Sequence, residues 1–148
     1  MKIILISIAV IMISFLAYFA LLGFNSKSGK ALGLVNDRLG ICPNKPNCIC
    51  SEFSDDTSHY VKPFTLKEDA MEKLIRIISD LGGVINQNND EYLAATFSSQ
   101  LFGFVDDLEL RIDLNDEVIH VRSASREGHS DMGVNSKRVE EIRRLYEN

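Results

Sequence analysis

The segment Ser123–Asn135, SASREGHSDMGVN, combines residue types that bind anions with glycines that permit tight turns. Arg122 and Arg126 share the parity of one strand, so their guanidinium groups point to the same face and can clamp a phosphate or carboxylate. The segment then leads into a predicted helix, whose exposed amides and positive dipole favour an anion. We therefore predict an anion-binding site that consists of Arg122, Arg126, Ser130, Asp131, Asn135 and, from the preceding strand, Asp106.

Two other readings of this segment stay open. In a structural reading, Asp131 pairs with Arg126, while Ser130 and Asn135 hydrogen-bond a loop whose glycines supply positive φ. In a catalytic reading, Asp106 and Asp131 serve a hydrolase of envelope components. A serine-hydrolase triad is not indicated, because the segment has neither the G-x-S-x-G turn nor a recognisable oxyanion site. The expectation is a protein that is not an enzyme, with no catalytic residue.

Asp106 is the acid of this set that the strand pattern directs toward the interior. Asp106 and Asp107 point to opposite faces of their strand, so the two carboxyl groups do not share a proton. The apolar row of the same strand faces the predicted helices, and Ser125 lies opposite Asp106 in the register predicted below. A buried carboxylate needs a partner, because burying it alone is costly. We expect Asp106 to anchor the following loop.

Three cysteines, Cys42, Cys48 and Cys50, lie in a loop with two prolines. A disulfide between Cys42 and Cys48 would stabilise this loop by about 2–3 kcal/mol and would indicate an oxidising compartment. Reduced thiols, with a redox role, are one alternative. A metal site that adds His59 is another, although C-x5-C-x-C is not the spacing of ordinary zinc modules. We predict the Cys42–Cys48 disulfide, with neither metal nor cofactor.

Two amphipathic patterns predict the helices that position these residues. The stretch TLKEDAMEKLIRIISDLGG has its apolar residues on one stripe, a capping box formed by Thr65 and Glu68, and a stop at Gly82 or Gly83. The second pattern predicts a helix from Ser136, its N-cap, to Tyr146.

The strand patterns predict an antiparallel sheet. HYVKPF is a short strand ended by Pro63, and VINQNN, YLAATFSSQL, FVDDLELRIDL and VIHVRSASR follow the first helix. A two-residue turn at Asn115-Asp116 sets Glu109 opposite Arg122, an oppositely charged pair, whereas a slip by one residue would turn the apolar rows to solvent. The order β-α-β-β-β-β-α indicates an α+β domain of two layers, with two helices on one face of the sheet and water on the other.

The first residues form a separate apolar segment. Ile3–Phe24 contains no charge and is long enough to cross a bilayer, so membrane lipid is its predicted partner. A cleaved signal peptide is the competing reading, but its apolar core is shorter and ends in small residues. We predict a transmembrane anchor over 1–24, a tether over 25–38 and the α+β domain over 39–148.

Charge and cysteine usage bear on partners and location. The net charge of −5 argues against nucleic acid, which requires a basic surface. Three basic residues follow the apolar segment: Lys27, Lys30 and Arg38. By the positive-inside rule they weakly favour a cytoplasmic domain, whereas a disulfide favours a domain on the other side of the membrane. We predict a single-pass protein of the cell membrane, with a periplasmic domain whose partner is an anionic small molecule or an envelope protein.

Three segments resemble a known family. CPNKPNC (Cys42–Cys48), FVDDLELRID (Phe104–Asp113) and SASREGHSDMGVN (Ser123–Asn135) look like the signature segments of domain of unknown function fourteen-ninety-nine, found in bacteria and plastid-bearing organisms. The resemblance spans 39–147 and implies a small membrane-linked or exported domain, but no activity. One departure is Cys50, where the family more often has serine.

Overall fold

The computed structural model describes residues 1–148. Its helices and strands are, in chain order, α1 (Lys2–Ser26), β1 (Leu34–Val35), β2 (Arg38–Leu39), β3 (Cys48–Cys50), β4 (Phe64–Thr65), α2 (Ala70–Asp80), β5 (Val84–Asn88), β6 (Tyr92–Ser98), β7 (Val105–Asp113), β8 (Val118–Ser125) and α3 (Val134–Glu147).

The main sheet has the strand order β3-β8-β7-β6-β5, and β4 also pairs with β8. All of these pairings are antiparallel. β1 and β2 form a separate two-stranded hairpin. An N-terminal apolar helix, an antiparallel sheet and two further helices confirm the predicted α+β class.

The predicted register of β7 on β8 is confirmed. Glu109 lies opposite Arg122, Leu110 opposite Val121 and Asp106 opposite Ser125. The connecting turn is longer than predicted, because pairing stops at Asp113 and Val118 and leaves four residues in the turn. The alternation of apolar and charged residues therefore fixes the register even where the turn type is misjudged.

The main core lies between the sheet and the pair α2 and α3. The apolar faces of both helices pack against the apolar side chains of β7 and β8 that were predicted to face them. The fully buried members of this core include Leu74, Ile78, Leu108, Leu110, Ile119, Val121, Val139, Ile142 and Tyr146.

Both helix starts differ from prediction. α2 begins at Ala70 after Asp69, which has φ 55°, and Thr65 forms no capping box because it pairs with Val118 in the sheet. α3 begins two residues before the predicted N-cap Ser136. The predicted stop of α2 is confirmed, since Gly82 has φ 87° and the amides of Gly82 and Gly83 bond back to the last turn.

Two further predictions about the sheet are wrong. Pro63 does not end a strand, because β4 begins directly after it and Tyr60 makes only an isolated bridge with Cys50. The face away from α2 and α3 is not open to water. Residues 26–42 lie over that face and pack with β3, β6 and β8 in a second, smaller core that contains all three cysteines, Tyr92, Ala94 and Ala124.

α1 contacts the sheet only through its C-terminal end. Its most apolar window has a mean hydropathy of 2.7 and is 0% buried. In contrast, Ser26 is buried, and its hydroxyl accepts a hydrogen bond from the amide of Val105 at 3.1 Å. α1 is long and apolar enough to cross a membrane, a property that membrane anchors share with signal sequences.

Candidate functional site

Two buried ion pairs lie side by side on the covered face of the sheet. Arg126 donates both Nε and Nη2 to the carboxylate of Asp107, at 2.9 and 2.7 Å. Arg122 donates Nη1 to Glu109 at 3.0 Å, as the predicted register requires. Arg122, Glu109 and Asp107 are each at least nine-tenths buried, so these charges are shielded from water and hold the two strands together.

Neighbouring groups complete the hydrogen bonding of Glu109. The hydroxyl of Tyr92 donates to it at 2.7 Å, and the amide of Gly33 donates to the same oxygen at 2.8 Å. Burial and the bond to Glu109 raise the pKa of Tyr92 far above its ordinary value, so this hydroxyl remains a donor. The hydrogen bond to Asp107 likewise raises the pKa of Arg126.

The two arginines line one cleft of about 510 Å³. We call it the arginine cleft; its polar lining consists of Lys30, Asp107, Arg122, Ser125 and Arg126. Nε of Arg122 is buried and has no hydrogen-bond acceptor. Arg122 thus keeps one unpaired donor, and the cleft is lined by three cationic side chains, of which two are already paired with acids.

The arginine cleft lies beside the end of α1. Arg126, besides binding Asp107, donates Nη1 to the carbonyl oxygen of Ser26 at 3.1 Å. Gly29 packs against the side chain of Arg126 so closely that a Cβ would lie 2.9 Å from its Cδ. The residues predicted as a tether thus contact the sheet and form one wall of the cleft.

The other predicted site residues lie elsewhere. Asp106 accepts a hydrogen bond from Arg138 of α3 at 2.7 Å, on the face of the sheet that carries the helices. Asn135, which is 1% exposed, receives a hydrogen bond from Ser123 and donates to Ser125 and to the carbonyl oxygen of Asn47. Asp106 and Asn135 therefore belong to a network, joined through Arg138, that connects α3 to β7 and β8.

Asp131 and Ser130 serve the start of α3. The carboxylate of Asp131 accepts from the amides of Gly133 and Asn135, at 3.0 and 2.7 Å, and Ser130 accepts from that of Met132. Asp131 does not pair with Arg126, which is held by Asp107 instead. A carboxylate of this chain thus already occupies the helix terminus that was expected to attract an anion.

A second polar cleft, of about 460 Å³, lies on the same face and contains residues that the sequence did not single out as a site. We call it the glutamate cleft. Its central residue is Glu52, whose side chain is 1% exposed and accepts from Nε of both Arg111 and Arg38, at 2.7 and 2.9 Å. The amide of Leu39 adds a third donor at 3.1 Å. No spacing rule identifies Glu52, because its donors come from two separate segments, β2 and β7.

Ser51 and His120 also line the glutamate cleft. Oγ of Ser51 lies 3.1 Å from Nδ1 of His120 and accepts a hydrogen bond from the amide of Val121 at 2.8 Å. Burial lowers the pKa of His120, although the carboxylate of Glu52, 3.9 Å from Nε2, opposes the shift. A serine beside a neutral histidine is the pairing that activates a nucleophilic hydroxyl. Ser51, however, is only 4% exposed and its hydroxyl is held by the amide of Val121, so it is poorly placed to attack a substrate.

The predicted disulfide between Cys42 and Cys48 is present, with 5.7 Å between the two Cα atoms. Cys50 is a free, buried thiol in the same small core. Burial raises the pKa of the Cys50 thiol above its ordinary value of 9.0, which disfavours the reactive thiolate.

Comparison with known proteins gives a family and no activity. The family model described as "Protein of unknown function (DUF1499)" matches residues 38–145, and the chain belongs to this family. The match covers the sheet from β2 onward and most of α3, and it confirms the resemblance seen in the sequence. No curated protein matches the chain.

Proposed function

We propose that this member of the family is a single-pass membrane protein whose α+β domain lies outside the cytoplasm, is not an enzyme, and binds an anionic ligand in the arginine cleft. α1 is the anchor in this proposal. The predicted domain boundaries, with the anchor over 1–24 and the domain over 39–148, are part of it.

The observation that carries the proposal is the contact between Arg126 and the end of α1. Arg126 binds the carbonyl oxygen of Ser26, and the hydroxyl of Ser26 binds the amide of Val105. These bonds hold the arginine cleft next to the C-terminal end of the apolar helix α1. A ligand bound there would lie at the membrane surface.

The charge distribution of the arginine cleft supports an anionic ligand. Asp107 balances Arg126 and Glu109 balances Arg122, so Lys30, which is exposed, leaves the cleft with an excess positive charge. Nε of Arg122 lacks an acceptor but is itself buried, so the donor that a carboxylate or phosphate oxygen can reach is the ammonium group of Lys30. Anionic lipid headgroups and small anions of the periplasm share this chemistry.

The disulfide supports a domain outside the cytoplasm. Disulfides persist in oxidising compartments such as the periplasm and are rare in the cytosol. The lysines that follow α1 favour the opposite orientation only weakly, since domains of this length cross the membrane largely regardless of nearby charge.

The two alternative functions have less support. A hydrolase that uses Asp106 and Asp131 would need both carboxylates at one site, but Asp106 is bound to Arg138 and Asp131 caps α3. A thiol redox protein would need a reactive thiolate, whereas Cys50 is buried and its pKa is raised.

The ligand proposal is tested by melting the full-length protein in detergent with inorganic phosphate, with citrate, and with phosphatidylglycerol added to the micelles. We expect at least one of these anions to raise the melting temperature of the wild type. Lys30→Ala and Arg126→Ala should reduce that rise, each measured against the variant's own melting temperature without ligand. Lys62→Ala, an exposed lysine outside the cleft, should keep it. If no anion shifts the wild type, or if Lys62→Ala and Lys30→Ala behave alike, the arginine cleft is not the binding site.

A further inference from the structure

We propose that the β6–β7 loop, Ser99–Phe104, inserts into the bilayer beside α1 and gives the folded domain a second contact with lipid. The inference rests on the proposal that α1 crosses a membrane. It adds a lipid-binding surface within the domain itself.

The β6–β7 loop packs directly against α1. The ring of Phe19 lies 5.6 Å from that of Phe102 and 6.3 Å from that of Phe104, measured between centroids. Gly23 permits this approach, because a Cβ at that position would overlap the carbonyl oxygen of Phe102. The contact fixes the loop at a defined height along the helix.

That height lies inside the apolar part of α1. Phe19 precedes Phe24, the last residue of the apolar run, by five residues, or about 7 Å at a helical rise of 1.5 Å per residue. The run Ile3–Phe24 is about 33 Å long, close to the roughly 30 Å of bilayer hydrocarbon. Side chains level with Phe19 therefore reach the boundary of the acyl chains, the depth at which interfacial segments bury their apolar faces.

The composition of the β6–β7 loop suits that environment. The stretch from Phe97 to Val105, FSSQLFGFV, contains no charged residue. Leu101, at the tip, is 82% exposed, and α1, the disulfide loop and the helices leave it uncovered. The end of the Lys27 side chain lies against Gly103, since a Cβ there would be 3.3 Å from Cε and 3.5 Å from Nζ, and its ammonium group suits the headgroup region at the edge of the loop.

The loop also satisfies part of its own backbone, as a segment in lipid must. The amide of Ser99 donates to the carbonyl oxygen of Phe104 at 2.8 Å, and the amide of Gly103 donates to that of Ser99 at 3.1 Å. The hydroxyl of Ser99 accepts from the amide of Phe104 at 3.0 Å. These three bonds close the loop into a compact turn, with Leu101 exposed at its tip and Phe102 and Phe104 packed against Phe19.

Lipid is the occupant that these observations favour over a protein. The surface around Leu101 is continuous with the exposed side of α1, which itself requires an apolar environment along its whole length. A protein partner or a second copy at the same height would have to be embedded in the membrane as well.

The test uses single tryptophans, because the chain has none of its own. Leu101→Trp reports on the loop. Ile11→Trp, in the middle of α1, reports on the anchor, and Leu114→Trp, in the turn between β7 and β8 at the other end of the sheet, serves as the matched exposed control. Each full-length variant is reconstituted into phosphatidylcholine vesicles with and without brominated acyl chains, and emission is recorded with iodide as the aqueous quencher.

We expect brominated lipid to quench Leu101→Trp to an extent similar to Ile11→Trp, with emission shifted to the blue and iodide ineffective. Leu114→Trp should show the reverse. If Leu101→Trp behaves like Leu114→Trp while Ile11→Trp is quenched by bromine, the loop inference fails and the anchor stands. If Ile11→Trp is also unquenched, the anchor itself fails. Protection of Leu101→Trp from iodide without quenching by bromine would indicate a protein contact and would also overturn the inference.

Discussion

The carboxylate of Glu52 is almost completely buried, and the residues around it explain how a buried carboxylate is stabilised. Burial alone would raise the pKa of Glu52, but the hydrogen bonds from Arg111 and Arg38 outweigh burial and lower it below 4.5. The same pairing links three segments that are distant in sequence: β2, the chain after β3, and β7. Glu52 therefore joins the covering segment to the sheet, so its main effect is on stability.

Removal of Arg111 should destabilise the domain strongly. Arg111→Ala leaves the buried Glu52 with Arg38 as its remaining cationic partner, and we expect the free energy of unfolding in urea to fall by about 2–3 kcal/mol. Arg76→Ala is the matched control, because its pair with Glu72 is about 70% exposed on both sides. Arg76→Ala should lower the free energy of unfolding by at most about 0.5 kcal/mol. Equal losses for the two variants would contradict the structural role of Glu52.

His120 predicts a loss of stability in mild acid. Its pKa is lowered in the folded protein, so the unfolded chain takes up a proton near the ordinary value of 6.5 while the folded protein resists it. The contribution of His120 to the free energy of unfolding is therefore fully present above pH 6.5 and is lost as the pH falls below that value. Glu52, whose pKa is also lowered, adds a further loss below about pH 4.5.

The measurement is the free energy of unfolding in urea from pH 7 to pH 5, for wild type, His120→Gln and, as a control, His129→Gln at an exposed position. His120→Gln should flatten the profile, whereas His129→Gln should follow the wild type. A His120→Gln profile that keeps the slope of the wild type would show that another group titrates.

The cysteines predict one thiol that is hidden until the chain unfolds. Without reductant, alkylation of the native protein should modify no cysteine, because Cys42 and Cys48 are bonded and Cys50 is buried with a raised pKa. Alkylation in denaturant should modify Cys50 alone, and mass spectrometry counts the added groups. Rapid modification of a native cysteine would contradict this arrangement and restore the redox reading.

At the level of elements, the sequence predicted the strand register, which depends on the alternation of apolar and charged residues. It missed the contacts that depend on the segment covering the sheet. The register of β7 on β8 follows from apolar and charged rows that fit only one alignment, and Gly82 marks the end of α2. The start of α2 was wrong because pairing of Thr65 with β8 overrides the local capping pattern. The pairing of Arg126 with Asp131, which the structural alternative proposed, does not occur: Arg126 binds Asp107, and no local signal shows that residues 26–33 cover that pair.

The junction between α1 and the sheet is predicted to depend on Gly23. Gly23→Leu places a side chain against Phe102 and should detach the end of α1 from the β6–β7 loop. Residues 27–33 then lose their support, so trypsin should cleave after Lys27 and Lys30 faster than in the wild type. Ala20→Leu, on an exposed side of the same helix, should leave the cleavage rate unchanged. Equal rates for Gly23→Leu and the wild type would show that the junction is not closely packed.

At the level of the whole molecule, the sheet separates two kinds of interior. One face carries the apolar core under α2 and α3, and the other carries ion pairs under a covering segment held by a disulfide. The arginine cleft is close to α1. On β8 the glutamate cleft is lined by Val118 and His120, and the arginine cleft begins two residues later, at Arg122, about 7 Å farther along the strand. A membrane around α1 would thus lie next to the arginine cleft and farther from the glutamate cleft.

The retention of α1 in the mature protein tests this account most directly. The protein is isolated from its own host, separated into membrane and soluble fractions, and its intact mass is measured. The account predicts a protein in the membrane fraction with a mass that includes residues 1–24. A soluble protein whose mass shows that it starts after residue 24 would contradict the anchor, and with it the fixed position of the arginine cleft and the β6–β7 loop at a bilayer.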